Sequence, residues 1–96
     1  MMDWKRKARK ALRDYPKAKQ RGDPTITDAV DTALAMQKEY YNGDDRLRMV
    51  DMVYFRQTHT LVGASVECGY SIETVKKWNL EVITAVYVGL LKGQGA

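Results

Sequence analysis

Residues 60–78 gather the side chains of this chain whose types and spacing suit recognition better than bond-making. Ser71 can accept from an orphan backbone N–H and open a helix whose start favours an anion. Glu73 is an acceptor, and Lys76 and Lys77 are donors within two helical turns of it. Ahead of them lie Thr60, Leu61 and Ala64, then Gly69. A short helix, a tight turn at Gly69 and a second helix opened by Ser71 is the layout of a helix-turn-helix, whose second helix lies in the DNA major groove.

The elements that must hold these groups are legible from spacing. Gly69 sits where the first helix has to stop and the chain has to take a positive φ, which costs glycine nothing. Tyr70 follows as a plug for the corner. Val75 and Trp78, four and seven residues after Ser71, share the face turned toward the first helix. Leu61, Ala64 and Cys68 supply the matching stripe. Ala64 and Ser65 are small, as close helix approach requires, although alanine is the usual residue at the position of Ser65. An ordinary helical hairpin has the same pattern and stands as the alternative.

Ninety-six residues make one domain with a single modest core. No apolar run approaches the roughly 20 residues of a membrane-crossing helix. The basic N-terminus is not followed by the apolar stretch of a signal peptide. With one cysteine, Cys68, no internal disulfide can form, and a small buried thiol in a reducing cytoplasm is expected. The net charge of +4 is unevenly spread: residues 3–21 hold nine Lys and Arg against Asp3 and Asp14, whereas the rest of the chain is net −3. A block this basic suits a phosphate backbone or another polyanion; a solvated face that only aids solubility is the alternative.

Taken in order, residues 3–15 read as an amphipathic helix with Trp4, Ala8, Ala11, Leu12 and Tyr15 on one face. Pro16 is expected to end or bend it, leaving residues 17–24 as a connector. A second helix begins at Pro24 or after Thr25, capped by Asp23 or Thr25. Ile26, Val30, Ala33, Leu34, Gln37 and Tyr41 line one face of it, and Asn42 and Gly43 stop it. Asp44 caps a third helix, whose Leu47, Met49, Val50, Met52, Val53 and Tyr54 read as core. His59 falls in a connector. The last helix runs from Ile72 to about Leu91 and carries two apolar stripes after Trp78. Val82, Ala85, Val86 and Gly89 form one; Leu80, Ile83, Tyr87, Leu90 and Leu91 form the other. The second must be covered by self-association or by the chain's own first helix. The fold expected is therefore all-α, with about five helices: a basic N-terminal helix and connector over 3–21, two core helices over 24–57, and a helix-turn-helix with a long last helix over 60–91.

No catalytic set is present in the sequence. There is no phosphate-cradling glycine loop, no metal-ligand spacing, and no Ser/His/Asp or Cys/His arrangement. Asp44 and Asp45 read as helix-start residues. Neither an enzyme, a metal nor a cofactor is expected.

From Tyr40 onward the chain resembles the phage-encoded RinA/ArpU-type transcriptional activators of Gram-positive bacteria and their prophages. The likeness is carried by Tyr40, Tyr41, Asn42, Gly43, Asp44 and Arg46, then Val53, Tyr54, Thr60, Leu61 and Ala64. The run from Ser71 to Trp78 continues it, followed by Ile83, Val86, Gly89 and Leu90. Leu12, Asp14, Tyr15 and Pro16 are similar to the family's N-terminal helix. Such proteins look like relatives of the C-terminal DNA-binding domain of sigma factors and are associated with late or packaging gene expression. The resemblance implies Ile72, Glu73, Lys76 and Lys77 at base edges, Ser71 and Thr74 near phosphate, and Thr60 as a backbone contact or cap. It also implies a regulator acting on double-stranded DNA in the cytoplasm of a bacterial host. The chemistry agrees: lysines donate to guanine or phosphate, and a glutamate accepts from cytosine.

Residues 44–91 hold five basic and six acidic residues, a net −1, although phosphate neutralisation supplies most non-specific DNA affinity. The missing attraction is expected from Lys5, Arg6, Lys7, Arg9, Lys10 and Arg13, acting as an arm along the duplex. Two further readings keep the same fold. In one, the helical pair and the last helix bind RNA polymerase, a sigma factor or a second copy of the chain as a homodimer. In the other, the chain is a packaging subunit of the small-terminase kind.

Overall fold

The structure, a computed structural model, describes residues 3–95. Among them are five α-helices and no strand: α1 (Asp3–Arg21), α2 (Pro24–Lys38), α3 (Gly43–Val50), α4 (Leu61–Cys68) and α5 (Ile72–Gly95). The all-α expectation holds. A π-helical turn, Asp51–Phe55, continues α3, with the Arg56 N–H donating five residues back to the Asp51 carbonyl at 2.8 Å. No described helix is long and apolar enough to cross a membrane.

The core forms where α1, α2 and α5 pack together and α3 and α4 close one end. Leu12, Val30, Met49, Val50, Val75, Trp78, Val82, Ile83 and Val86 are fully buried and belong to one apolar cluster. Burial of a side chain of this size contributes about 1.5–3 kcal/mol, so these residues decide the helix arrangement. The backbones of α2 and α5 approach closely at Gly89. A Cβ built there would lie 2.9 Å from the Ala29 Cα, inside any normal contact, so Gly89 sets the separation of the two helices.

Several local expectations are corrected. Pro16 does not end the first helix, which runs unbroken to Arg21, and the connector shrinks to Gly22 and Asp23. An interior proline costs about 3 kcal/mol by local rules. Here tertiary contacts on both sides offset it. Tyr15 is buried, stacked on Phe55 at 5.0 Å, and donates to the Asp31 carboxylate. Ala18 is fully buried, and Arg21 closes the last turn on Asp14 at 2.6 Å. The same packing settles where α1 sits: it is docked along α5 and α2, with Trp4 against Tyr87 at 5.5 Å.

The start of α3 also differs. Asn42 takes the N-cap position, Gly43 is the first helical residue, and Asp44 lies in the first turn instead of capping it. The Asn42 side chain makes no cap bond because its Oδ1 accepts from Arg46 Nε at 2.9 Å. At α2, Asp23 occupies the N-cap without a side-chain cap bond. Spacing places Tyr41 on the buried face of the second helix. It is 98% exposed, because α2 ends at Lys38 and the chain has already turned away. The last helix runs four residues beyond Leu91, to Gly95.

Candidate nucleic-acid interface

The α4–α5 pair is built from three local devices. At its entry, Thr60 caps α4, its Oγ1 accepting from the Gly63 N–H at 3.1 Å. At its corner, Gly69 is left-handed with φ 77°, and its N–H and that of Tyr70 both reach back to the Ser65 carbonyl, at 3.0 Å each. This is the glycine helix stop read from the sequence. At its exit, Ser71 Oγ accepts from the Thr74 N–H at 3.2 Å and pairs with the Thr74 hydroxyl at 2.9 Å.

Packing then fixes the pair. Val75 and Trp78 are buried from α5, and Ala64 is buried from α4. Tyr70 meets Trp78 edge-on at 4.6 Å, and its hydroxyl donates to Asp45 at 2.7 Å, which raises its pKa and ties the corner to α3. The serine at position 65, where alanine is usual, is buried at no polar cost: its hydroxyl donates to the Val62 carbonyl at 2.6 Å.

The outward face of α5 carries the residues singled out by spacing. Glu73, Lys76 and Lys77 are exposed, as are Ser71 and Thr60; Ile72 and Thr74 are half-buried. Among the described residues neither Lys76 nor Lys77 pairs with a carboxylate. The helix start, one acceptor and two free cations therefore face solvent together on a rigid scaffold.

The basic residues of α1 are spread around its outer face. Arg6, Lys7, Lys10 and Arg13 are exposed; Lys5 and Arg9 are half-buried. Lys5 leans over the Trp4 ring at 5.6 Å. Arg9 and Arg13 come near Tyr54, whose phenol is pushed up by burial against the pull of those two charges. The Tyr54 hydroxyl donates to Asn79 on α5, three residues after Lys76. The middle of α1 is thus linked through Tyr54 to α5 at Asn79.

Sequence reasoning missed Arg46. Its guanidinium is buried and donates to Asn42 at 2.9 Å, to Gln37 Oε1 at 2.8 Å and to Glu81 at 2.6 Å. It also stacks on the Tyr40 ring at 3.8 Å and lies 5.4 Å from the Trp78 ring. One side chain thereby fixes α2, α3 and α5 to one another. No periodicity announces it, since Glu81 is 35 residues away; an arginine and a glutamine interrupting apolar faces are the available signal.

The second apolar stripe of α5 is largely covered from within. Ile83 is buried, and Tyr87 and Leu90 pack against the core. Leu80 and Leu91 of the stripe remain exposed, as does Val88 outside it. Leu80 and Val88, with Met36 and Tyr40 of the α2 side, border an open groove of about 940 Å³ between α2 and α5.

No protein-family model, curated protein or solved structure matches this chain.

Proposed function

We propose that this chain is a sequence-specific regulator of transcription that binds double-stranded DNA, with the first turns of α5 in the major groove. The observation that carries this reading is the α4–α5 pair itself. Its inner face is locked by Val75, Trp78 and Ala64, while Glu73, Lys76 and Lys77 stand exposed on the other side of a capped helix. A rigid helix presenting an acceptor and two donors is what direct readout of base edges requires. Phosphate attraction comes from Lys5, Arg6, Lys7, Arg9, Lys10 and Arg13 of α1, which are exposed or half-buried and, among the described residues, unpaired with any carboxylate. The resemblance to RinA/ArpU-type activators points the same way, toward a phage or prophage late-gene activator acting in a bacterial cytoplasm.

The test is binding of the full chain to its neighbouring genomic DNA and to a random duplex, followed by fluorescence anisotropy across a salt series. The reading predicts a preference for one genomic segment, and a loss of that preference in Lys76→Ala and Lys77→Ala chains. Equal affinity for all duplexes would remove the sequence-specific part of it.

The α2–α5 groove favours a second reading, in which the chain works through a protein partner such as RNA polymerase, a sigma factor or its own second copy. Met36, Tyr40, Leu80 and Val88 border it and are all exposed. Sedimentation of the full chain separates the forms: a dimer supports self-association, and a closed ring of many subunits supports the packaging alternative.

A further inference from the structure

The C-terminal part of the basic face of α1 lies where that helix passes Gln57, beyond the π turn. Lys10, Arg13 and Lys17 follow one another down one side of α1 and, with Asp14 and Gln57, line a cleft of about 350 Å³. All three cations are exposed, and among the described residues none of them pairs with a carboxylate. Asp14, the acid of the lining, is held by Arg21 at 2.6 Å, whose hydrogen bond chiefly lowers its pKa, with a smaller pull from Lys17 and Lys10. Like charges spaced three and four apart on a helix repel one another, so this face gains from an anion.

The opposite wall is a constrained segment. Gln57 has φ 54°, in the left-handed region that side chains other than glycine seldom adopt. The next two N–H groups, of Thr58 and His59, are both tied to the Met52 carbonyl, at 2.9 and 3.2 Å. The loop is therefore held in place and leads, three residues on from Gln57, into Thr60 and the start of α4. In a helix-turn-helix the first helix crosses the phosphate backbone.

The cleft is joined to that first helix through Gln57, three residues ahead of the Thr60 cap. From Lys10 to Lys17 the face is about 10 Å long at 1.5 Å rise per residue, which is the reach of neighbouring phosphates on one strand and more than a single small anion fills.

We propose that this cleft seats the phosphate backbone of duplex DNA, continuous with the contact made at the start of α4. The proposal rests on the DNA-binding reading above. It adds Lys17 and Gln57 to the surface and replaces a free arm with a docked flank. Because α1 is packed into the core, it meets the duplex at a fixed place relative to α5.

The test compares two triple variants of equal charge. Lys10→Gln/Arg13→Gln/Lys17→Gln empties the cleft; Lys19→Gln/Lys38→Gln/Lys92→Gln removes the same charge elsewhere. Salt-dependent binding to the genomic segment and to a random duplex is read for both and for the wild type. The cleft variant should show a salt slope shallower by about 2, from about two lost phosphate contacts at roughly 0.9 each. Its preference for the genomic segment should be unchanged. The control variant should keep the wild-type slope to within about 0.5, a quarter of that change. A Lys10→Arg/Lys17→Arg chain, which retains the charge, should bind as wild type. Equal losses in the two triple variants, or an unaltered slope in the first, would overturn the site while leaving the DNA-binding reading intact. A wild-type chain that binds no duplex would overturn both.

Discussion

The cations of α1 from Lys5 to Lys17 and the arginines of the second half of the chain are used in opposite ways. Arg46, Arg48 and Arg56 each hold a carboxylate, of Glu81 at 2.6 Å, Glu67 at 3.4 Å and Asp51 at 2.8 Å. From Lys5 to Lys17, no cation of α1 does so among the described residues. Net charge alone hides this. Residues 44–91 sum to −1, yet three of their basic and three of their acidic groups pair with one another, Arg46 with Glu81 from a buried guanidinium and the other two pairs at the surface. What remains at the start of α5 is Lys76, Lys77 and Glu73. Arg46 and Arg48 tie helices to one another, Arg56 closes on its own π turn, and unpaired cations stay available to a partner.

This division can be broken most severely at Arg46. Arg46→Ala leaves Gln37, Asn42 and the Glu81 carboxylate without their shared donor, and should cost about 3 kcal/mol or more in urea unfolding. Lysine should not restore it, because one ammonium cannot reproduce a planar fork. Cutting the cleft cations of α1 to glutamine should change the same measurement by less than about 0.5 kcal/mol. If the two changes cost alike, the distinction between paired and unpaired cations fails.

The caps come next. Ser71→Ala removes the acceptor of the Thr74 N–H and should cost about 1 kcal/mol, with Thr60→Ala similar. Gln57→Gly should act in the other direction, raising stability by about 1 kcal/mol through relief of the left-handed backbone while weakening duplex binding. A smaller effect is expected from acid. Arg21 beside Asp14 holds that carboxyl below the usual carboxylate range, chiefly through their hydrogen bond. A lowered folded pKa gives a contribution present above the unfolded value of about 3.9 and lost as pH falls through the folded one. An Asp14→Asn chain should therefore lose less stability than wild type on going from pH 4 to about pH 2. Equal acid sensitivity would show that the tie at the end of α1 contributes nothing.

The parts of the fold legible in the sequence are those written within a few residues. Thr60, Gly69 and Ser71 announce a cap, a stop and a cap because each acts on a backbone group at most four positions away. The apolar periodicity of α1, α2 and α5 was equally readable. What was not legible depends on distant partners. Pro16 obeys its local rule until Tyr15 finds Asp31, 16 residues on. Arg46 becomes a hub only when α5 brings Glu81 to it. The cleft required knowing that α1 packs beside Gln57 and does not stand free. The exposed face of α5 was legible as a set of residue types, and its rigidity came from Tyr70, whose bond to Asp45 spans 25 residues.

The central claim is that one duplex meets both surfaces: α1 for attraction and α5 for sequence. A salt titration of duplex binding by the wild type, the Lys76→Ala/Lys77→Ala chain and the cleft triple variant tests it most directly. The α5 variant should lose preference between genomic and random DNA, and the cleft variant should lose salt slope while keeping the preference. Absence of binding to either duplex at low salt, or preference and slope falling together in both variants, would contradict it.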